Sequence, residues 1–175
     1  MQTSTFFKSA GIAIVATCFS LGAFAQKTKG PVASPADSVT GKIGRATVKI
    51  RYSSPSVKGR TIWGELVPYD KVWRAGANEA TTFTTDKDLM IEGKELHAGR
   101  YALFMIPTKD AWTIIFNAVP DQWGAYKYEE AKDVLRVTVK PTTGAMQERL
   151  VYKINDGGFS MSWEKLTIPV MAKTR

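Results

Sequence analysis

Residues 47–52, Thr47-Val48-Lys49-Ile50-Arg51-Tyr52, alternate strictly. Val48, Ile50 and Tyr52 fall on one side of an extended chain, and Thr47, Lys49 and Arg51 fall on the other. A period of two is the pattern of a half-buried β-strand. Ser53-Ser54-Pro55-Ser56 ends it, because proline has no amide hydrogen for the ladder.

The same reading extends downstream. Residues 80–85 and 89–91 predict short strands, with Glu92-Gly93 turning the second back through residues 94–96. Residues 100–106 and 111–117 are nearly continuous apolar runs, as expected of central strands covered on both faces. Residues 134–140 alternate again. Residues 149–154 and 159–163 form a hairpin through Asn155-Asp156-Gly157-Gly158, and residues 166–170 are expected at a sheet edge because of Pro169. Only residues 126–133 have the composition of a helical turn, and they are too few to be stable alone. About nine short strands with no convincing helix predict an all-β chain. The expected fold is a single antiparallel β-sandwich, jelly-roll-like, with a long irregular insert after the first strand.

The N-terminus has a different character. Lys8, an apolar run from Ala10 to Phe24 and an Ala23-Phe24-Ala25 site read as a signal peptide over residues 1–25. Secretion or periplasmic delivery would follow cleavage after Ala25. The apolar run is too short for a membrane span. Residues 26–37 are a polar, Gly- and Pro-containing leader, and residues 38–175 form the domain. The lone cysteine, Cys18, lies within the signal segment, so the mature domain has no disulfide and no thiol nucleophile. Without Lys8 the chain carries 23 basic residues against 16 acidic ones, a net charge of +7 that favours acidic partners. Export makes nucleic acid an unsuitable partner.

Between Tyr52 and Thr82 the alternation stops, and Arg60, Trp63, Trp73, Arg74, Asn78 and Glu79 crowd among glycines and prolines. Common catalytic patterns are missing here: no nucleophile elbow, no phosphate loop and no paired-histidine zinc motif. His97 is the single histidine, so neither a zinc site nor a serine triad has its ligands; it reads as a strand-end side chain. Asp86 and Asp88 have a spacing that caps turns more often than it holds calcium. No metal and no cofactor is expected. Arg74 and Glu79 would form a bidentate pair that pins the loop. Trp112 and Trp163 lie in strand patterns and belong in the core, whereas Trp123 lies between Gln122 and Gly124 in a polar loop that favours exposure.

With these segments laid out, the chain resembles the bacterial domain-of-unknown-function family 2911. The resemblance is carried by Tyr52-Ser53, by residues 55–60, by Val72-Trp73-Arg74-Ala75-Gly76-Ala77-Asn78-Glu79-Ala80-Thr81, by residues 99–107 and by Gln122-Trp123-Gly124, whereas Ser54 stands where the family pattern has a larger basic residue. It implies an exported, mostly β domain and brings no activity with it.

Arginines, amides and flat aromatic faces suit carbohydrate recognition. The leading expectation is a non-catalytic binding module for an acidic or glycan ligand of the envelope. Its ligand-binding residues would be Arg60, Trp73, Arg74, Asn78, Glu79, Gln122 and Trp123. Two alternatives stand beside it: a cofactor-free hydrolase of glycans using Glu79 as acid or base, and a purely structural envelope protein. Two carboxyl groups facing one cleft would favour the hydrolase.

Overall fold

The structure, a computed structural model, describes residues 1–2 and 33–175. The expected signal peptide, its cleavage site, Cys18 and most of the leader lie outside the described residues. The described residues form ten strands in two antiparallel sheets. The larger sheet has the order β1-β2-β3-β6-β7-β8. Its strands are β1 (Ala36–Ile43), β2 (Ala46–Ser53), β3 (Thr81–Thr85), β6 (Gly99–Pro107), β7 (Trp112–Asn117) and β8 (Asp133–Val139). The smaller sheet has the order β5-β4-β10-β9, from β4 (Leu89–Ile91), β5 (Lys94–Leu96), β9 (Thr142–Asn155) and β10 (Gly158–Thr174). Among the described residues no helix is long and apolar enough to cross a membrane.

The alternation in β2 works as read: Val48, Ile50 and Tyr52 are buried, and Lys49 and Arg51 are exposed. Strand β1 differs from the expectation. It begins at Ala36, inside the expected leader, and pairs with β2 along its whole length, so the long insert follows the second strand. As an edge strand it buries little beyond Ile43, which leaves its sequence without a strong apolar period. Residues 159–163 and 166–170 fall within one extended run, β10, which doubles back. Pairing with β9 shifts register on both sides of Glu164, whose φ is +55°. The amide of Ala172 then donates to the carbonyl of Gly157. Gly158 lies so close to the returning segment that a Cβ there would meet the Val170 carbonyl oxygen at 2.1 Å. The returning half is not a free edge, because residues 172–174 pair with β4. Pro169, which has no amide hydrogen to donate, falls between the rungs to β9, which reach Thr167, and those to β4, which begin at Ala172.

The main core lies between the sheets. Phe83, Phe116 and Phe159 meet there at centroid separations of 5.2–6.5 Å. Four indoles, Trp63, Trp73, Trp112 and Trp163, pack together nearby, with Trp63 at 4.8 Å from Trp112 and 5.7 Å from Trp163. Each fully buried tryptophan contributes on the order of 4–6 kcal/mol of apolar burial before entropy is charged. The central strands β6 and β7 are covered on both faces as their apolar runs predict. Ala102, Phe104 and Ile115 point outward and are sheltered by Ala80, Val72, Ala125 and Tyr128. Two loops therefore lie across the outer face of the larger sheet: the tail of the insert and the segment after β7. The residue 126–133 segment supplies only a single 3-10 turn, Glu130–Lys132.

Candidate functional site

The insert is tied down at three places. At its start, the Val57 amide donates to the Glu148 carbonyl and the Leu150 amide to the Pro55 carbonyl, joining it to β9. In the middle, Trp73 and Met105 exchange both backbone hydrogen bonds (2.8 and 2.9 Å), so the insert takes the slot beside β6 that opens beyond Thr81. At its end, the Ala80 amide donates to the Gln122 carbonyl and the Gly124 amide to the Asn78 carbonyl.

That last pair of bonds flanks Glu79 and Trp123 without involving their own amides. They form a non-hydrogen-bonded antiparallel pair, the kind whose side chains stand closest and on the same side.

Most members of the string from Trp73 to Thr81 have scaffold duties. The Trp73 indole donates to the Gly76 carbonyl. The Ala75 carbonyl accepts from the buried hydroxyls of Thr81 (3.0 Å) and Tyr152 (2.7 Å). Gly76 has no room for a side chain, since a Cβ would meet Thr81 Oγ1 at 2.9 Å and the Ser53 carbonyl at 3.1 Å. Asn78 adopts φ +58° and spends its amide hydrogens on the Ser34 carbonyl and the Ser53 hydroxyl. Two side chains are exempt. Glu79 is exposed and has no hydrogen-bond or ion-pair partner among the described residues, and Arg74 has its Nε buried without a partner. The expected Arg74–Glu79 pair does not form, because each faces a different cleft.

The first cleft, of about 790 Å3, takes Glu79, Gln122 and Trp123 from the predicted set. Its floor is the outer face of the larger sheet: Ser38, Arg51 and Thr82 sit on adjacent rungs of β1, β2 and β3. Trp123 stands at its wall, 61% exposed. Gln122 braces its own loop by donating to the Val119 carbonyl. Asp37, Arg100 and Asp121 also line the cleft, and sequence reasoning missed all three. Arg100 grips Asp121 with two bonds of 2.8 and 2.6 Å. Those bonds, and then the charge of Arg51, hold the Asp121 carboxyl below the ordinary carboxylate range. Asp37 accepts from the Ser38 amide with one oxygen and from the Tyr52 hydroxyl with the other. Burial pushes the Tyr52 phenol up to about 12, so it stays protonated near neutrality. Of the three carboxylates in this cleft, Glu79 alone has both oxygens uncommitted among the described residues.

The second cleft, of about 420 Å3, takes Arg60, Trp73, Arg74 and Asn78, and adds Lys71 and Trp163. The structure thus brings the predicted residues together as two groups, not one. His97 lines neither cleft; its ring lies 3.4 Å from Asp88, beside the turn into β6. Asp86 and Asp88 act as ties, accepting from the backbone amides of Thr47 and Ala98.

Fold and site together define a class: a two-sheet antiparallel sandwich that carries loop-walled clefts built on an insert between neighbouring strands of its larger sheet. The chain belongs to the family described as a protein of unknown function, DUF2911, whose model matches residues 34–172. No curated protein and no solved structure matches it.

Proposed function

We propose that the protein is an exported binding module whose first cleft takes a glycan of the cell envelope. The observation that carries this reading is the Glu79–Trp123 pair: a flat, exposed indole and an uncommitted carboxylate held side by side over a polar sheet face. An indole face stacks on the apolar face of a sugar ring, and the carboxylate accepts from its hydroxyls. The Arg100–Asp121 fork and the Ser38 and Thr82 hydroxyls border the same space.

Hydrolysis is the second reading, favoured by the three carboxyl groups that line the cleft. It is the weaker one. Glycosidic cleavage needs an acid and a partner carboxylate free to act. Asp121 is held ionised by Arg100 and both oxygens of Asp37 are engaged, which leaves Glu79 alone.

Titration with soluble N-acetylhexosamine and uronic-acid oligosaccharides, read by tryptophan fluorescence and calorimetry, tests both. Saturable binding that weakens about tenfold or more in Trp123→Ala, with no new reducing ends, is the expected result. Release of reducing ends that disappears in Glu79→Gln would establish the hydrolase instead. No saturable binding by any oligosaccharide would remove the glycan reading.

A further inference from the structure

The second cleft shares no lining residue with the first, and its chemistry differs in sign. Three cationic side chains, Arg60, Lys71 and Arg74, line it, and no aspartate or glutamate does. None of the three takes part in an ion pair among the described residues. Arg60 is oriented by its own loop, with Nε donating to the Val57 carbonyl at 3.1 Å, which fixes the guanidinium without neutralising it. The Nε of Arg74 and the indole nitrogen of Trp163, two residues that line the cleft, are buried without acceptors among the described residues. Trp163 is 1% exposed and lies in near-parallel stacking with Trp73, with an interplanar angle of 16° and ring centroids 6.1 Å apart. Pro55, Leu66, Val67, Pro68 and Val72 supply apolar wall.

Positive charge above an aromatic floor and between apolar walls is complementary to one kind of ligand. We infer that this cleft binds a small organic oxyanion, a phosphate or carboxylate carried on a compact apolar or aromatic group. The guanidinium of Arg74 meets the anion in forked geometry, Arg60 and Lys71 add charge, and the apolar body lies against Trp73 and the proline-rich wall. The volume of about 420 Å3 lies within the range of small-molecule sites and is too small for a polymer. Lys71 is exposed and supplies charge at the rim, where salt screens it. The inference does not rest on the glycan reading, because the two clefts have separate linings.

The test uses the purified protein, 15N-labelled, titrated with phenyl phosphate, benzoate, inorganic phosphate and, as the neutral control, phenol. Saturable shifts of the Trp163 and Trp73 indole signals by phenyl phosphate or benzoate, weaker with added salt and absent with phenol, are expected. Whichever of the two binds more tightly identifies the oxyanion; weaker binding by inorganic phosphate shows that the apolar walls contribute. Arg74→Ala should weaken binding about 10- to 100-fold, the size of a lost charge-assisted hydrogen bond. Lys71→Gln, on the surface and harmless to folding, should weaken it about 2- to 5-fold. Should Arg74→Ala fail to fold, Lys71→Gln decides. Equal binding of phenol, no saturable binding by either anion, or affinities unmoved by Lys71→Gln at low salt would each overturn the inference.

Discussion

The two clefts flank the same short string from Trp73 to Thr81 and yet hold opposite chemistry. The first mixes carboxylates with arginines, and two of its three carboxylates are already engaged: Asp121 with Arg100, and Asp37 with Tyr52 and Ser38. The second has arginines and a lysine with no carboxylate beside them. The difference shows that one loop can line two clefts when its backbone turns side chains to either side. Ala75 (φ +54°) and Asn78 (φ +58°) are the points where this chain does so. A left-handed residue redirects the chain beyond it, and here it separates Arg74 from Glu79.

The largest effect is expected at Gly76, which lines the second cleft and packs against Thr81 and against Ser53 of the first. Gly76→Ala forces a Cβ against the Ser53 carbonyl at 3.1 Å and Thr81 Oγ1 at 2.9 Å, and should cost about 1–3 kcal/mol in urea unfolding. Binding at both clefts should weaken together. Loss at one cleft alone would mean that the string does not support them jointly.

Tyr152 is the next largest test, because its buried hydroxyl holds the Ala75 carbonyl from the core side. Tyr152→Phe should cost about 1 kcal/mol, the ordinary worth of a hydrogen bond whose acceptor keeps a second donor. The phenol is also a pH reporter. Burial raises the pKa of Tyr152 far above its ordinary value and that of Tyr52 to about 12. A group with a raised folded pKa gives stability that is fully present below its unfolded pKa, about 10 for tyrosine, and is lost as pH rises through the folded value. Melting temperature should therefore decline as pH climbs from about 10 towards 12, and the decline should be shallower in Tyr152→Phe. Identical slopes in both proteins would show that Tyr152 does not govern the alkaline limb.

The smallest effect is expected where the proposed binding chemistry is concentrated. Glu79→Gln and Trp123→Ala should each change stability by no more than about 0.5 kcal/mol, since neither side chain has a scaffold partner. A loss of several kcal/mol for either would show that it belongs to the scaffold, and the contrast between spent and free charges in the first cleft would collapse.

The range of each interaction decides how far it can be read from the chain alone. The alternation in β2, the apolar runs of β6 and β7 and the turn at Glu92-Gly93 are local, so they are visible as patterns in the sequence. Trp112 and Trp163 in the core and Trp123 at the surface are legible from their immediate neighbours in the same way. Strand β1 is hidden because an edge strand with one solvated face needs few apolar residues. The Arg100–Asp121 fork is hidden because its partners come from a strand and a separate loop, with no spacing rule to join them. The division of the predicted residues into two clefts is the least visible part. It depends on the φ values of Ala75 and Asn78 and on bonds to Ser34, Ser53 and residues 122–124, all set by tertiary contacts.

The left-handed residues of the insert, Lys58, Asp70, Ala75 and Asn78, together with its backbone bonds to β9, β6 and the 122–124 loop, also bear on how a ligand would be received. Ordering a free loop costs about 1–2 kcal/mol per residue, and a disordered recognition segment loses that free energy at the moment of binding. In this protein the loss falls on folding, so a ligand of either cleft would meet a surface already shaped. Association should then show a heat-capacity change no larger than the ligand's own buried surface accounts for, with none of the excess that accompanies a segment folding as it binds.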